Sequence, residues 1–569
     1  MVECFNELVT QSNSAPTCGS YFSAYCSHSG NLHTVSQVRH FARAETARRT
    51  SIHMARAFLE LDGGTDHGPG PDQEGGVMKY MKRAESKYTG ATKFALLALG
   101  MVIGAGSAFA QTDPGPRGGT PGAGAPIANL SPDQARFFAT ALAQFTEVEG
   151  VALPSPGNGG LGPTFNGNAC AMCHSQPAIG GTSPSMNPQV AVATLNNASN
   201  TLPFFVTSTG PVREARFKYF YSSPEVGQLN FFGSRSRATL DLDAPDGSVH
   251  DLFTIAGRTD APPGCTARVL PQPDFNQAQA DNNLALRIPT PVFGLGLIET
   301  ISDHTILHSF ALTAPLRAPL GILGSPNRSG NDATITRFGW KAQNKSGLLF
   351  AGEAYNVEMG ITNELFPNER GFGGVPPPAA CLGNLVPEDE TNLLPIGIGT
   401  GTSNVPSDIE DFSIFMRFLD QPTPACTISG PAPNCSPSIQ GGLAQFKAAG
   451  CALCHTPSMR TDASDFTVNP PGLSNVQANL FSDLLLHHMG EGLNDGITQG
   501  GAGPDQFRTA PLWGIGQRLF FLHDGRTSDL LAAIKAHASR GSEANGVIRN
   551  FNGLTETQQQ DLLNFLRSL

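Results

Sequence analysis

The chain contains one five-residue pattern twice, Cys-x-x-Cys-His, at residues 170–174 and again at residues 451–455. In this pattern two thiols can add to the two vinyl groups of one haem, and the histidine that follows can bind the iron. A phenylalanine lies five positions before the first cysteine of both copies, at Phe165 and Phe446. A thioredoxin-like redox pair would need a βαβ context, and a zinc site would need two paired ligand sets close together. The repetition therefore predicts two c-type haems.

The two patterns assign a set of protein ligands to each predicted haem. The thiols are the attachment points, and each histidine is the proximal iron ligand. The other nitrogen of each imidazole should donate a hydrogen bond to a carbonyl or carboxylate, which orients the ring. The residues so assigned are Cys170, Cys173 and His174 for the first haem, and Cys451, Cys454 and His455 for the second.

Residues 78–110 have the pattern of a secretion signal. Basic residues precede the apolar run 94–105, and Ala108, Phe109 and Ala110 form an A-x-A cleavage site. The apolar run is too short to span a bilayer, so a transmembrane anchor is disfavoured. We expect export to the periplasm with cleavage after Ala110. Because such a signal works from the start of a chain, residues 1–77 are expected to be a start-site artefact or a leader that is removed.

The composition limits the partners and the fold. The formal net charge is −11 and there is no basic run, which argues against nucleic-acid binding and favours small redox partners. The 64 Gly and 44 Pro among 569 residues predict many irregular connections. The expected fold class is mainly α, with two cytochrome c-type haem domains, a β-rich insertion and long irregular loops.

Changes in residue pattern along the chain predict the domain boundaries. Ser131 and Pro132 form a helix start after a Pro/Gly-rich stretch, and Thr555 with Gln558 forms a capping box for an apolar C-terminal helix. The predicted segments are a linker at 111–129, an N-terminal haem domain at 130–370 with a β-rich insertion near 190–268, a connection at 371–435 and a C-terminal cytochrome c domain at 436–569.

Four cysteines remain outside the leader and the two haem patterns, an even number in an oxidising compartment. Cys426 and Cys435 flank a Pro/Gly-rich loop, which favours a local disulfide and leaves Cys265 with Cys381. Four cysteines permit three pairing schemes, so the two other schemes stay open.

A second repeat accompanies the haem patterns. Residues 287–296 and residues 508–516 each contain an arginine, then a proline, then Gly-x-Gly, and each lies downstream of one haem pattern. This shared order predicts an internal duplication with unequal insertions.

Several short runs carry a family resemblance. Residues 507–511 and 522–526 resemble the bacterial di-haem cytochrome c peroxidase superfamily, and residues 484–490, 337–341 and 360–367 resemble its di-haem oxidoreductase (peroxidase-type) branch. The resemblance covers the chain from about Leu130 to the C-terminus. It implies two facing cytochrome c domains: electrons enter at one six-coordinate haem, and hydrogen peroxide is reduced at the other. The electron donor would be a cytochrome c or a cupredoxin, and calcium is a further candidate cofactor.

The resemblance also implies roles for individual residues. His537 falls where the peroxidases have a methionine ligand of the second haem; an exposed histidine is the alternative. Glu358 matches the carboxylate that moves a proton during peroxide reduction, and Trp340 matches the electron bridge, although it could equally be a core residue. Met359 could bind the first iron and close it.

Two arginines are candidates for pairing with haem propionates, because a guanidinium group matches the geometry of a carboxylate. They are Arg508 and Arg526, for which surface salt bridges are the alternative.

Three functions remain open at this point. The first is a cytochrome c peroxidase-type enzyme. The second is an electron carrier with two closed haems and no substrate, and the third is a di-haem oxidase of a thiol or protein substrate. The sixth ligand of the first iron distinguishes the first two functions. A vacant position beside Glu358 favours the enzyme, and a permanent ligand such as Met359 or a histidine favours the carrier.

Overall fold

A computed structural model describes residues 111–152, 159–221, 239–372, 375–391, 406–428, 433–463 and 470–569. All of them fall within one compact unit, Leu99–Leu569. The predicted leader, residues 1–77, and the predicted secretion signal, residues 78–110, lie outside the described residues. Among the helices in the described ranges, none combines the length and apolar character that crossing a membrane requires.

The helices of the described residues are mostly short. Ser131 and Thr555 form capping boxes with Gln134 and Gln558, which confirms the helix starts predicted there. The α-helices are α1 Pro132–Thr146, α2 Cys170–Cys173, α3 Gln189–Val192, α4 Phe275–Ala280, α5 Leu295–Thr300, α6 Asp303–Leu312, α7 Ala314–Arg317, α8 Gly347–Met359, α9 Asp408–Phe418, α10 Pro437–Ala449, α11 Leu530–Lys535, α12 Asn545–Asn552 and α13 Glu556–Ser568. Single 3₁₀ turns are Leu195–Asn197, Ala318–Leu320, Ala379–Cys381, Cys451–Leu453, Pro471–Leu473 and Ile515–Gln517.

The strands of the described residues pair only two at a time, and every pair is antiparallel. The pairs are β1 Thr164–Phe165 with β5 Phe253–Thr254, β2 Glu214–Phe217 with β6 Leu284–Arg287, β3 Tyr219–Tyr221 with β4 Leu240–Pro245, β7 Asn327–Arg328 with β8 Ile335–Thr336, β9 Met459–Arg460 with β10 Gln477–Ala478, and β11 Leu486–His488 with β12 Gln506–Arg508.

The prediction of a mainly α fold is wrong. Helices contain 32% of the described residues and strands contain 12%. The fold of this part of the chain is therefore mixed and largely irregular, with small two-stranded sheets. Proline lacks a backbone N–H and glycine loses more backbone entropy than other residues on folding, so their abundance shortens helices and strands alike. Of the described strands near residues 190–268, β3 and β4 pair with each other, whereas β2 and β5 pair with β6 and β1 outside that range.

A crossed helix pair lies beside each Cys-x-x-Cys-His pattern. α1 packs on α9, where the rings of Phe145 and Phe415 lie 4.6 Å apart. α10 packs on α13, where the rings of Phe446 and Phe565 lie 5.4 Å apart. Gly442 permits this second contact, since a Cβ atom there would lie 2.0 Å from the carbonyl oxygen of Asp561. Each pattern is therefore supported by two helices from distant parts of the chain.

The two repeated segments have the same local structure. Arg287 ends β6 and Arg508 ends β12. Seven and six residues later, Gly294 and Gly514 have φ values of 64° and 72°, and each precedes a short helix. This left-handed conformation favours glycine. At Gly294 a Cβ atom would also lie 2.5 Å from the ring of Trp513. The repeat thus encodes a strand, a sharp turn and a helix.

The disulfides confirm the favoured pairing. Cys265 is bonded to Cys381, and Cys426 is bonded to Cys435. The four cysteines of the haem patterns are free thiols. No other cysteine lies within the described residues.

A buried ion pair joins two distant parts of the chain. Nη2 of Arg287 lies 2.6 Å from Oδ2 of Asp495, and both side chains are 2% exposed. Nζ of Lys341, which is fully buried, lies 3.2 Å from Oδ1 of the same aspartate. Lys341 also donates to carbonyl oxygens of residues 503, 504 and 506. One carboxylate thus compensates two buried cations.

Candidate functional site

The first pattern forms part of the wall of a cavity. Cys170, Cys173 and His174 all line it. Nδ1 of His174 lies 3.0 Å from the carbonyl oxygen of Gly181. Because a carbonyl only accepts hydrogen bonds, Nδ1 carries the proton and Nε2 is free to bind a ligand. The ring of Phe145 meets this imidazole edge-on, with 6.2 Å between the centroids.

One face of α8 forms another wall of the first cavity. Its lining residues recur at intervals of three and four, which places them on a single helical face. The cavity, with the open space at its mouth, has a volume of about 1170 Å³ free of protein atoms. The α8 residues that line it are Ala351, Ala354, Tyr355, Glu358 and Met359.

Glu358 lies in this cavity beside a second carboxyl group that the sequence did not predict, Glu214. Oε2 of Glu358 accepts a hydrogen bond of 2.8 Å from Nδ2 of Asn166. Burial raises the pKa of Glu358 well above its usual range, and the charge of Glu214 raises it further. Burial would also raise the pKa of Glu214, but the guanidinium groups of Arg216 and Arg287 outweigh it and lower that pKa. Glu358 is therefore the protonated member of the pair.

Two methionines line the first cavity. Met359, predicted as an iron ligand, is buried at the end of α8, and its backbone oxygen accepts a hydrogen bond from the amide of Gly162. Met416 lies on α9 and was not predicted, although its spacing from Phe412, another lining residue, is one helical turn. A spacing of one helical turn could have indicated Met416 as a cavity residue, but the same spacing is also typical of ordinary core packing.

The second pattern lines a separate cavity of about 1370 Å³, together with His537. Nδ1 of His455 lies 3.0 Å from the carbonyl oxygen of Phe481, and Nδ1 of His537 lies 2.8 Å from that of Ala533. Both imidazoles therefore keep Nε2 free. Burial lowers the pKa of His455 to about 4 and also lowers that of His537, so both rings are neutral. Neutral imidazoles with a free nitrogen are suited to bind iron.

Trp340 lines both cavities. Its Nε1 donates a 2.8 Å hydrogen bond to the carbonyl oxygen of Ile288, whose own amide donates to the carbonyl oxygen of His523. The rings of Trp340 and His523 meet edge-on at 6.4 Å. Ile288 lines the first cavity and His523 the second. A single indole with a fixed orientation therefore connects the two sites.

The two candidate arginines lie in different surroundings. Arg508 is buried in the second cavity, and its Nε donates to the carbonyl oxygen of Gly339 at 3.0 Å. Arg526 instead pairs with Asp524 at the surface and is not among the residues that line either cavity. Arg518, which the sequence analysis missed, lines the second cavity, and its Nη2 is buried without a hydrogen-bond partner. Burial lowers the pKa of Arg508 and of Arg518 to about 10.

A buried histidine lies beside the second pair of thiols. His487 has Oε2 of Glu543 at 2.7 Å from Nδ1 and Oδ2 of Asp483 at 2.9 Å from Nε2. Burial would lower the pKa of this imidazole, but Asp483 outweighs it and raises that pKa well above its usual range. His487 is therefore an imidazolium with both nitrogens engaged, which excludes it as an iron ligand in this arrangement.

Two cavities, each with a thiol pair and a free imidazole nitrogen on its wall, define a protein that holds two haems. Residues 220–569 match the family described as "Di-haem oxidoreductase, putative peroxidase". The chain belongs to this family and is a haem-dependent oxidoreductase. The matched range contains the second pattern, Trp340 and Glu358, whereas the first pattern precedes it.

Two further comparisons add little. The search of curated proteins finds no match. A solved structure of Kuenenia stuttgartiensis hydrazine synthase, pressurized with 20 bar xenon, matches at 19% identity and a TM-score of 0.19. That match covers 29% of this chain and 55% of the other, so it spans about half of that chain's length. At this TM-score it carries no weight for fold or function.

The residues of both cavities fit a haem. Burial raises the pKa of Cys170 and of Cys451 to about 12, so both thiols are neutral on the cavity walls. The unpartnered Nη2 of Arg518 offers a donor to a propionate in the second cavity. In the first cavity Oε1 of Gln343 is also buried without a partner; as an acceptor it would need a donor and would not pair with an ionised propionate.

Proposed function

We propose that this oxidoreductase reduces hydrogen peroxide in the first cavity, using electrons that enter at the second. The observation that carries the proposal is the protonated Glu358, which lies in the same cavity as His174 and has a raised pKa. A buried acid of this kind suits a reaction in which one oxygen must leave as water. Peroxide, two electrons and two protons yield two molecules of water.

A haem held by Cys170, Cys173 and His174 would supply the binding site for peroxide and the electrons. The chain supplies the acid: Glu358 gives its proton to the departing oxygen and recovers one afterwards. Asn166 holds this carboxyl group through its 2.8 Å hydrogen bond, and the Glu214 charge keeps it protonated between turnovers. Arg216 holds Glu214 in turn, with Nε 2.7 Å from Oε1. The carboxyl group therefore starts each turnover protonated, and the two protons that the reaction consumes are replaced from solvent.

We infer that Trp340 carries electrons between the two haems. Its position on the walls of both cavities and the hydrogen bond to Ile288 support this role. A fixed, partly buried aromatic ring shortens the distance that an electron must cross through saturated groups.

Both haems are proposed to be covalent, through Cys170 and Cys173 and through Cys451 and Cys454. The protein should be produced in a host that attaches c-type haems, denatured, and assayed for haem that stays on the polypeptide and for peroxide consumption. Two attached haems with peroxide turnover are expected. Fewer than two attached haems, or no turnover with both present, would refute the proposal.

His537 is proposed as the sixth ligand of the second iron. Replacing it by Ala should change the low-spin absorption of one haem and leave the other unaltered, because His537 lines only the second cavity. His488→Ala is the matched control, since that side chain is 47% exposed and pairs with Asp505. An unchanged spectrum in the His537 variant would remove it from the ligand set.

The two methionines support a second candidate, an electron carrier without a substrate. A thioether of Met359 or Met416 bound to the first iron would close that site to peroxide. Spin-state spectra of the resting and half-reduced protein distinguish the two functions. A high-spin first haem in the half-reduced state supports the enzyme, and a low-spin first haem in both states supports the carrier.

The cellular setting is proposed from the sequence. The signal pattern of residues 78–110 supports export and a periplasmic location, with cleavage after Ala110. The acidic net charge supports a small redox protein as donor rather than a nucleic acid. N-terminal sequencing of the exported protein tests this, and a mature terminus upstream of Met78 would contradict it.

A further inference from the structure

Two exposed histidines, His304 and His308, lie one turn apart on α6. Their imidazole planes are inclined by 7°, and the ring centroids are 5.7 Å apart. A metal–nitrogen distance of about 2.0–2.1 Å puts the centres of two imidazoles on one ion at most about 6.5 Å apart. The observed separation is therefore within the span that a single metal ion can bridge.

The backbone that carries this histidine pair is held by the rest of α6. Ile306 lies two positions from each histidine and is fully buried, so the pair occupies the solvent side of the helix. The hydroxyl of Ser302 caps the helix by accepting a hydrogen bond from the amide of Thr305. The carboxylate of Asp303 accepts a 2.8 Å hydrogen bond from the amide of Ile335. Two ligands on a fixed backbone lose less conformational freedom when they bind an ion.

Both imidazoles are available to a ligand. Neither ring makes a hydrogen bond to another residue that the structure describes. The exposed histidine His488, by contrast, has Nδ1 3.0 Å from the carboxylate of Asp505. His304 and His308 also do not line either haem cavity, so they are separate from the residues assigned to the two irons.

A carboxylate lies beside the start of α6. Oδ2 of Asp462 accepts hydrogen bonds from the amide of Ser302 at 2.8 Å and from the hydroxyl of Thr305 at 3.3 Å. Burial would raise the pKa of this carboxyl group, but the hydrogen bonds from Ser302 and Thr305 outweigh it, and the charge of His304 lowers that pKa further. Asp462 is therefore ionised and places a negative charge near His304, which favours a bound cation.

The donor atoms determine the class of ion. Two imidazoles four residues apart on one helical face have the ligand spacing of the H-E-x-x-H metal site. Imidazole nitrogen suits Zn²⁺, Cu²⁺ and Ni²⁺, whereas Ca²⁺ and Mg²⁺ prefer oxygen ligands. Among divalent first-row ions, Cu²⁺ binds a given set of nitrogen ligands most tightly.

We propose that His304 and His308 form a surface site for one divalent transition-metal ion, with Cu²⁺ preferred over Zn²⁺. Each imidazole supplies one nitrogen, and water fills the remaining coordination positions. The site does not depend on the proposed peroxide reaction, because it shares no residue with either haem cavity.

The test measures Cu²⁺ binding to the oxidised holoprotein, with glycine present to suppress weak binding. Calorimetric titration should show one ion per chain, and the electron paramagnetic resonance spectrum should show splitting from two nitrogens. Zn²⁺ should displace the copper only in excess, and Ca²⁺ should not displace it. The variant His304→Ala/His308→Ala should lose about 10–100-fold or more in affinity, at least the usual loss when a partner of a metal ligand is removed. Its haem absorption should match wild-type.

Two control variants distinguish a chelating pair from separate surface histidines. The swap His308→Ser/Ser309→His keeps both imidazoles but places them five residues apart, which turns one of them away from the other around the helix. It should lose as much affinity as the double alanine variant. His488→Ala removes an exposed histidine elsewhere and should bind Cu²⁺ as wild-type does.

Four outcomes would overturn the metal-site proposal. They are the absence of saturable Cu²⁺ binding to wild-type, wild-type affinity in the double alanine variant, wild-type affinity in the swap variant, and an equal loss in His488→Ala. Displacement of the copper by Ca²⁺ would likewise contradict a site made of two imidazoles.

Discussion

Replacing Glu358 by Gln is expected to lower the rate of peroxide reduction by about 10²–10⁴-fold, the usual range for a lost general acid. Glutamine keeps the size of the side chain and can keep a hydrogen bond to Asn166, but it has no proton to give. Both haems should remain bound, since the attachment cysteines and iron ligands are untouched. Peroxide consumption and haem absorption, measured on the same sample, check both halves of this expectation.

The pH dependence gives this prediction a second readout. A general acid acts only while protonated, so wild-type activity should fall as the pH rises through the pKa of Glu358. That pKa is raised by burial and by Glu214, so the fall should come at a higher pH than for an ordinary glutamate. The residual activity of the Gln variant should lack this fall.

The matched control is Glu353→Gln on the same helix. The carboxylate of Glu353 accepts a hydrogen bond from Asn344 and does not line either cavity. The control should retain wild-type activity. Full activity in the Glu358 variant, or an equal loss in both variants, would reject Glu358 as the proton donor.

Replacing Asp495 by Asn is expected to lower the free energy of unfolding by about 3–5 kcal/mol, the usual cost of removing one partner of a buried ion pair. The change leaves Arg287, whose side chain is 2% exposed, without its carboxylate. Lys341 can respond by losing its proton, because burial lowers its pKa to about 8. Arg287 cannot, because a guanidinium stays charged in proteins. Chemical denaturation with and without the substitution measures the difference.

Asp505→Asn is the control for that measurement. Asp505 also pairs with a basic side chain, but its partner His488 is 47% exposed. An exposed pair contributes about 0–1 kcal/mol, so this variant should unfold close to wild-type. Equal stabilities for the two variants would show that the Arg287–Asp495 pair is not a major support of the fold.

Most predictions that succeeded rest on contacts between residues close in the chain, and the long-range pairing of Cys265 with Cys381 followed by elimination from the short-range pairing of Cys426 with Cys435. The capping boxes at Ser131 and Thr555 involve partners three residues apart, and the disulfide Cys426–Cys435 closes a short loop. The family assignment likewise depends on short runs. The fold class failed because no local rule states how much of a Pro/Gly-rich chain stays irregular after packing.

The residues of the candidate site also divide into those that the sequence identified and those that it missed. The sequence identified both thiol pairs, His174, His455 and His537, and all of them line the two cavities. It indicated Arg526, which lies at the surface, and missed Arg518, although the two arginines are eight residues apart in the chain. Residue type indicates that an arginine can pair with a propionate, but only packing decides which guanidinium is buried without a partner.

The sequence by itself determined that this chain has two haem sites, because the thiols and the histidine of each site lie within five residues. Tertiary structure alone decided that Glu358 meets Glu214 and that Trp340 lies on the walls of both cavities. Glu214 and Glu358 are 144 residues apart in the chain, and several helices and strands lie between them. Their proximity therefore depends on the closure of the whole chain, and so does the raised pKa that makes Glu358 an acid.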